Sequence, residues 1–320
     1  MLGTGIAARQ LYWPELQRLN KRIQVVACCN RTKSKAQAFA ADCNIGLVTD
    51  TAEELFALPN VDAVLISLPI ADQPRYVLKA LKAGKHVLSE KPMAPSLAAG
   101  RALVKAAKPY QKRGLKWMVG ENYAFLPQVI QAEAWLAEGA LGDVRVVEVR
   151  QMSIAREDNP YVQTLWRLDP RFVGGFVMDA GVHLAHIVRR YMGFPVELKS
   201  LNASFNPMLQ PIDSTLGVLR FRSGAVGSWI SCFSAQGGHA PMITLRGSRA
   251  DLEIHRDHAV LLAHVGKPRT YKAPHDSFYG QFHHFADVVN AGARLAYTPA
   301  DALADLAFMQ SLVQGRLQRP

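Results

Sequence analysis

The residues best suited to proton transfer in this sequence are a lysine, an aspartate and a histidine. Lys91 stands in a Glu-Lys-Pro triplet within GKHVLSEKPMAPS, residues 84–96, directly after a predicted strand. Ligands of open parallel sheets bind at the carboxyl ends of the strands, and a lysine there can polarise or protonate a substrate oxygen. Pro92 has no N–H donor and a fixed φ, which holds the turn rigid. Taken alone, a Glu-Lys pair is more often a pair on the protein surface.

The aspartate and the histidine lie in WRLDPRFVGGFVMDAGVHLAHIV, residues 166–188. Asp179 and His183 are four residues apart, so a helix places them on one face, and His186 falls on the same face. A carboxylate that orients an imidazole forms, together with a lysine, a usable proton-transfer set. An i,i+4 helix pair or a cap is the structural alternative. A metal site of the three residues is a further alternative, but we predict no metal, because C–OH oxidation can run on a lysine without one.

A nucleotide site is indicated by MLGTGIAARQ, residues 1–10. Gly3, Gly5 and Ala8 fit the G-x-G-x-x-G/A pattern that cradles a dinucleotide pyrophosphate. A predicted helix over 7–19 follows and turns its first N–H groups toward phosphate. The pattern normally follows a β-strand, of which only Leu2 is present. We therefore expect that the complete chain begins upstream of Met1.

The second predicted strand indicates which nucleotide is bound. IQVVACC, residues 23–29, ends just before Asn30 and Arg31. At this position of a Rossmann fold a side chain contacts the adenosine ribose. Sites that prefer NAD usually have an acidic residue here, whereas this chain offers Arg31 with Lys33 and Lys35 close by. A guanidinium suits a 2′-phosphate, so we predict NADP(H), with NAD(H) as the alternative. In that alternative Arg31 only stacks on the adenine.

The element pattern predicts an α/β protein of two domains. Strand-like and helix-like segments alternate over 1–121, which is typical of a Rossmann-type parallel sheet. Period-two segments with short turns over 122–320 predict a substrate-binding and oligomerisation α/β domain with an open, mostly antiparallel sheet. We expect the last helix to pack back on the first domain. The strands predicted for the first domain are 23–29, 47–49, 63–67, 86–89 and 117–119.

The composition indicates a globular protein and excludes several other classes of protein. The chain of 320 residues is 49% apolar and 20% charged, which is typical of a globular protein. It has no apolar run of the roughly 18–20 residues that a membrane helix needs, no signal peptide, and four cysteines without metal spacing. These features predict a cytoplasmic protein without a membrane partner, although a targeting segment upstream of Met1 is an open alternative.

Of the net charge of +11, most lies in residues 1–121, with 18 Lys and Arg against 9 Asp and Glu. The basic residues are scattered rather than clustered with aromatics, so we predict no nucleic-acid partner.

Taken together, the motifs resemble one family. The glycine turn, SEKPMA, GENYAF and W-R…G-G…D-x-x-x-H stand in the order and spacing of the glucose-fructose oxidoreductase/inositol dehydrogenase/rhizopine catabolism (Gfo/Idh/MocA) proteins. The resemblance covers essentially the whole chain, including LRGSRADLEI and PADALADLAFMQSLVQG. It implies an NAD(P)-dependent oxidoreductase acting on a secondary alcohol or carbonyl of a sugar, cyclitol or related small molecule. It also implies a homodimer or homotetramer formed through the second domain's sheet.

The resemblance also implies roles for individual residues. Lys91 matches the catalytic lysine, Asp179 the substrate-orienting acid and His183 the acid/base. We predict cofactor contacts at Gly3, Gly5, Ala8, Arg9, Asn30, Arg31, Leu68, Pro69, Glu90, Lys91 and Asn122. We predict substrate contacts at Lys91, Trp166, Arg167, Asp179, His183 and His186. The chain departs from the family at His186, where many members have an aspartate, and in GENYAF, which lacks the arginine that often follows the tyrosine.

A different class of function is compatible with the same scaffold. A non-catalytic regulatory protein could use the Rossmann domain to bind a nucleotide or a sugar without turnover. The joint presence of Lys91, Asp179 and His183 favours catalysis, because a sensor has no chemical need of all three.

Overall fold

The structure is a computed structural model that describes residues 1–169, 171–274 and 276–320. It divides into two compact units. The first unit comprises Met1–Asn122 and Phe278–Leu303, and the second comprises Tyr123–Ser277 and Ala304–Pro320. The break after residue 122 lies next to the boundary that we predict at 121. Residues 278–303 group with the first unit, whereas the sequence pattern assigned them to the second domain.

The elements alternate as predicted in the first part of the chain and become strand-rich in the second. The helices are α1 (Trp13–Arg18), α2 (Lys33–Cys43), α3 (Ala52–Ala57), α4 (Gln73–Lys82), α5 (Leu97–Lys112), α6 (Pro127–Ala137), α7 (Gly175–Met192), α8 (Ser277–Asn290) and α9 (Pro299–Gln314). The strands are β1 (Ala27–Cys28), β2 (Leu47–Val48), β3 (Ala63–Ile66), β4 (His86–Glu90), β5 (Trp117–Gly120), β6 (Val144–Met152), β7 (Glu197–Ala203), β8 (Ser214–Arg220), β9 (Val226–Cys232), β10 (Ile243–Gly247), β11 (Ala250–Ile254), β12 (His258–Ala263) and β13 (Arg269–Lys272).

Parallel strands form the centre of the first unit. β1 pairs with β2, and β3, β4 and β5 form a second parallel group. Leu2 connects the two groups, because it makes parallel bridges to both Cys29 and Ile66. Its N–H donates to Leu65 O over 2.8 Å, and Ser67 N donates to Leu2 O over 2.8 Å. The glycine turn therefore leaves the middle of a Rossmann-like sheet, as the motif predicts.

The strand predicted over 23–29 is shorter in the structure. Only β1 is assigned as strand, and Met1 and Gly3 bond to this part of the chain: the Met1 amino group donates to Ala27 O over 2.7 Å, and Gly3 N donates to Cys29 O over 2.8 Å. Residues 23–26 have no strand beside them among the described residues. Apolar β-type residues become a strand only where a neighbour satisfies their backbone groups, so the prediction is wrong for these four residues.

Aromatic packing explains why residues 278–303 belong to the first unit. The ring of Tyr12 is fully buried and lies 5.7 Å from that of Phe278 and 5.4 Å from that of Phe282 at the start of α8. These rings bury apolar area and prefer such tilted and edge-on contacts.

The second unit is built on an eight-stranded sheet with the order β13-β12-β11-β10-β6-β9-β8-β7. All neighbours are antiparallel except β6 and β9, which are parallel. One face packs on helices: Trp229 of β9 is fully buried, 5.6 Å from Phe308 of α9. The other face is open, since Leu216 and Val218 of β8 are 53% and 63% exposed. The open, mostly antiparallel sheet is therefore confirmed.

Two element predictions differ from the structure in the second unit. β13 is not predicted from the sequence, because its residues RTYK are mostly exposed and carry no apolar period. It is an edge strand that pairs with β12, so the partner's backbone, rather than its own side chains, determines it. The period-two segment over 198–206 predicts a strand that reaches Asn206, whereas β7 ends at Ala203. No helix among the described residues combines the length and apolarity needed to cross a membrane.

The cysteines are free thiols, as their spacing predicts. Cys28, Cys29 and Cys43 are buried and Cys232 is half-buried. Burial raises the pKa of the Cys28, Cys29 and Cys43 thiols, because it disfavours the charged thiolate. These three residues therefore act as small apolar core residues.

Candidate active site

The glycine turn has the conformation that a phosphate cradle requires. Gly3 adopts a φ of +94°, and a Cβ at this position would clash with the Ser67 carbonyl oxygen. A Cβ at Gly5 would meet nothing within 4 Å, so the surface above this exposed residue is open. Thr4 Oγ1 is buried, and no described residue gives it a hydrogen bond. Open glycine backbone next to an unsatisfied hydroxyl fits the approach of a phosphate group.

The helical run after the glycine turn is not a regular α-helix. Its first part, Ala8–Tyr12, is a π-helical turn, and α1 follows from Trp13. The change falls one residue before Pro14, which has no N–H to donate. Arg9 pairs with Asp42, and its Cζ lies 5.4 Å from the Phe39 ring centroid. The guanidinium of Arg9 is thus held on α2, and its contact with a cofactor stays a prediction.

Asn30 and Arg31 lie beside the glycine turn, at the carboxyl end of β1. Asn30 Oδ1 accepts a hydrogen bond from Thr4 N over 3.4 Å, and its amide nitrogen donates to Thr32 O over 3.2 Å. Arg31 is exposed and has no hydrogen-bond or ion-pair partner among the described residues. Lys33 forms an exposed ion pair with Asp50, over 2.5 Å. Arg31, which has no such pair among the described residues, is therefore a cation available to meet an added phosphate here.

The turn that carries Lys91 is held by buried neighbours. Lys91 follows β4 directly, and its backbone N–H donates to Glu90 Oε2 over 3.0 Å. Ser89 Oγ, at the end of β4, accepts a buried hydrogen bond from Trp117 Nε1 over 3.0 Å. Gln73, which is fully buried, donates to Pro92 O over 3.3 Å. Sequence reasoning missed Gln73, because its role depends on the packing of α4 beneath the turn.

The other predicted cofactor residues of the first unit lie at the same sheet edge. Ile66 of β3 pairs with Ser89 of β4, and Glu90 of β4 pairs with Gly120 of β5. The three strands therefore end at the same edge of the sheet, and the residues that follow them lie along that edge. Leu68, with Pro69 next to it, packs beside Gly3: its Cδ2 would lie 3.2 Å from a Cβ built there. Asn122 follows β5 and is 5% exposed. The structure therefore brings these residues to one edge, where ligands of parallel sheets bind.

In the second unit, Asp179 is held by an arginine. Asp179 lies in the second turn of α7, and its Oδ2 accepts hydrogen bonds from Arg167 Nε over 2.9 Å and Arg167 Nη2 over 2.6 Å. Both side chains are about nine-tenths buried. Arg167 Nη1 donates to Tyr161 O over 2.9 Å and also contacts the Thr164 hydroxyl. A substrate contact for Arg167 stays a prediction, but its observed contacts serve to orient Asp179.

His183 lies one turn after Asp179 on α7 and is half-buried. Its ring stacks on that of Tyr123, with centroids 4.3 Å apart and planes inclined by 18°. Trp166 covers Arg167 in a similar way, since the Arg167 Cζ lies 4.1 Å from the Trp166 ring centroid. The shared helix face predicted for Asp179 and His183 is therefore accompanied by aromatic rings that the spacing alone does not indicate.

His186 is placed differently from the other two residues of the predicted set. It is 2% exposed, and its Nδ1 lies 3.4 Å from Asp305 Oδ2 of α9. Asp305 also accepts from Arg189 Nε over 2.6 Å. A substrate contact for His186 stays a prediction, and its burial against α9 argues against that contact.

Two family models match this chain. The first, described as an oxidoreductase family with an NAD-binding Rossmann fold, matches residues 1–120, and the second, the GFO/IDH/MocA C-terminal domain, matches residues 129–253. The crystal structure of an oxidoreductase from Thermotoga maritima is similar over 98% of this chain and 94% of its own, with a TM-score of 0.91 and 30% identity. This chain belongs to the GFO/IDH/MocA family.

Curated relatives of this GFO/IDH/MocA protein match over part of their length. An uncharacterised protein of Saccharomyces cerevisiae is 34% identical over 195 residues, which is 60% of this chain and 54% of the yeast protein. The 1,5-anhydro-D-fructose reductase of Ensifer adhaerens is 30% identical over 219 residues, 67% of this chain and 63% of the reductase. The chain thus spans between about half and two thirds of the length of these relatives.

The glycine turn of this family member fits a dinucleotide. Among the described residues, no group of three His, Cys, Asp or Glu side chains is arranged to hold a metal ion. The glycine turn, with open space above Gly5 and the unsatisfied Thr4 hydroxyl, fits a pyrophosphate. Contacts of Gly3, Gly5, Asn30 and Arg31 with a bound NAD(P) stay a prediction.

Proposed function

We propose that this protein is an NADP(H)-dependent oxidoreductase for a sugar, a cyclitol or a related hydroxy or carbonyl compound. The observation that carries the proposal is the pair on α7: Asp179 oriented by two nitrogens of Arg167, and His183 one turn further on. A buried ion pair beside a half-exposed imidazole is suited to hold and move a proton on a substrate hydroxyl. The name of the Ensifer relative, 1,5-anhydro-D-fructose reductase, supports this substrate class.

A bound nicotinamide supplies or accepts the hydride. In the reductive direction, the substrate oxygen must gain a proton as the carbon gains the hydride, and in oxidation it must lose one. We assign that proton to His183, with Asp179 orienting the substrate and the Lys91 ammonium stabilising negative charge on the oxygen. Lys91, Asp179 and His183 are therefore the proposed catalytic residues.

The preference for NADP(H) rests on Arg31. Its exposed guanidinium follows β1, and no acidic side chain stands there to accept ribose hydroxyls. A guanidinium can bind a phosphate with two hydrogen bonds, whereas a carboxylate at this position would repel it.

Arg31→Ala is expected to lower kcat/KM for NADP⁺ by about 10- to 100-fold, because a hydrogen bond to a charged group contributes about 1.5–3 kcal/mol. The same change should alter kcat/KM for NAD⁺ by less than about threefold, since NAD⁺ lacks the 2′-phosphate. Initial rates with both cofactors measure this. Lys105→Ala, an exposed lysine of α5, is the control for a general loss of positive charge. An equal loss with both cofactors would refute the role of Arg31.

The activity is tested by following reduced nicotinamide absorbance with a panel of sugars, sugar acids, cyclitols and their ketones. We expect turnover with at least one member and a preference for NADP(H). A protein that binds NADPH, detected by nicotinamide fluorescence, but turns over no panel member would favour a nucleotide-binding regulatory protein.

We further propose that the open face of the large sheet binds a second copy of the chain. Leu201, Leu216 and Ile230 lie side by side on three neighbouring strands, and Leu201 is 81% exposed. An apolar stripe of this kind on a sheet face is typical of an interface. The four free thiols also support a reducing compartment such as the cytoplasm.

Leu216→Glu tests this interface. Light scattering should give a dimer or tetramer for the wild type and a smaller species for the variant, because the carboxylate would be desolvated in the contact. Val265→Glu is the matched control, since Val265 is 93% exposed in the turn after β12. A wild type that is monomeric at micromolar concentration would contradict the proposal.

A further inference from the structure

Tyr123 is the residue whose side chain is stacked on the proposed acid/base. It lies in the short helical turn Asn122–Phe125, and its ring is nearly parallel to that of His183, 18° between planes and 4.3 Å between centroids. This distance is near the lower end of the range for aromatic pairs, so the two rings are in face contact.

The backbone around Tyr123 is anchored on both sides. Ala124 is 4% and Leu126 is 1% exposed, so the turn that carries Tyr123 is largely buried. Tyr123 O accepts a hydrogen bond from Leu126 N over 3.3 Å, and α6 begins at the next residue, Pro127. A ring held by such a turn has little freedom to move, and it can therefore act as a rigid surface against which a neighbouring ring packs.

A rigid surface beside His183 matters for proton transfer because of the geometry of imidazole. Both ring nitrogens point within the ring plane, so the direction in which His183 can donate or accept a proton depends on the orientation of that plane. The terminal torsion of histidine is broad, and packing must restrict it. Asp179 is oriented by Arg167, and the stacked Tyr123 ring is a contact that restricts the plane of His183.

We propose that Tyr123 is a positioning residue that fixes the imidazole plane of His183 through ring stacking. The proposal rests on the proposed role of His183 as acid/base. The proposed role depends on the face of the Tyr123 ring that contacts His183, so the aromatic ring is required and the tyrosine hydroxyl is not. A misplaced catalytic group costs up to about 100-fold in rate, which sets the size of the effect.

The test compares Tyr123→Leu with Tyr123→Phe. Leucine should lower kcat by about 10- to 100-fold with KM changed by less than about threefold, whereas phenylalanine should retain kcat within about threefold. In the His183→Gln background, Tyr123→Leu should have almost no further effect, because the group through which it acts is gone. An equal effect in both backgrounds, or a loss with Phe as large as with Leu, would overturn the proposal.

A measurement independent of turnover separates this proposal from the proposed function. In NMR spectra, the His183 ring protons should be shifted upfield by the Tyr123 ring in the wild type and in Tyr123→Phe, and should lose that shift in Tyr123→Leu. Unchanged His183 signals in Tyr123→Leu would refute the stacking. If the shift behaves as expected but His183→Gln keeps full activity, then the proposed acid/base role fails and with it any catalytic role for the stack.

Discussion

Lys91→Ala is expected to lower kcat by about 10³-fold, within the range for loss of an acid/base or charge-stabilising group. Lys91 follows β4 in a turn anchored by Trp117 and by the buried Gln73. Because these anchors do not involve the Lys91 side chain, the fold and the glycine turn should be unaffected. NADPH should therefore still bind, and the loss should appear in kcat.

Two variants make the Lys91 result interpretable. Lys91→Arg keeps a positive charge but changes its shape and its proton affinity, so it should recover only part of kcat. Lys82→Ala removes an exposed lysine at the end of α4 and should leave kcat unchanged. Lys91→Ala with kcat near that of the wild type would remove Lys91 from the mechanism.

Arg167→Ala is the prediction with the largest effect on stability. It would leave the Asp179 carboxylate about nine-tenths buried without the two nitrogens that contact it. Removing one partner of a buried pair costs about 3 kcal/mol or more, so the free energy of unfolding should fall by about that amount. Turnover should also fall, because Asp179 loses its orientation. Urea unfolding followed by tryptophan fluorescence measures the first effect, and Trp229 is a buried reporter in the same unit.

Combining substitutions separates the charge from the packing of this pair. Asp179→Asn added to Arg167→Ala should restore part of the stability, because no carboxylate is then left buried, but it should not restore turnover. Arg171→Ala is the matched control: Arg171 is exposed, and its removal should lower the unfolding midpoint much less than Arg167→Ala does. A stable, fully active Arg167→Ala would contradict the role assigned to this ion pair.

The control substitution, Arg171→Ala, has one further consequence that can be measured. Hydrogen bonds from Arg171 lower the pKa of Asp169 to about 2. In Arg171→Ala this pKa should rise toward its ordinary value, which a pH titration by NMR detects, because a carboxylate without its cation is protonated more readily. An unchanged pKa would mean that the pair does not persist in solution.

Much of the first unit could be predicted from the sequence because local patterns determine it. The strands β3 and β4 agree with the predicted ranges 63–67 and 86–89 to within one residue, since apolar residues and turn residues mark both ends of each. Residues 23–26 have the same β-type character but are not strand. Their state depends on a neighbouring strand, which a local pattern does not contain.

The candidate site, too, could be predicted where local spacing determines it and not where it depends on distant parts of the chain. Spacing was sufficient to put Asp179 and His183 one turn apart on a single helix, α7. Spacing could not reveal that His186 lies against Asp305, because that contact joins residues more than a hundred positions apart. The stacking of Tyr123 on His183 was missed for the same reason, although an aromatic residue next to Asn122 was a signal that could have suggested it.

Direct detection of hydride transfer tests the central claim. NADPH deuterated at the reactive carbon of the nicotinamide would be incubated with the protein and a panel of sugar-derived ketones, and the products examined by mass spectrometry. We predict that one deuterium appears on a product carbon with the wild type, and that it appears about 10³-fold more slowly with Lys91→Ala. NADPH that binds to the wild type without transferring deuterium to any ketone would contradict the account.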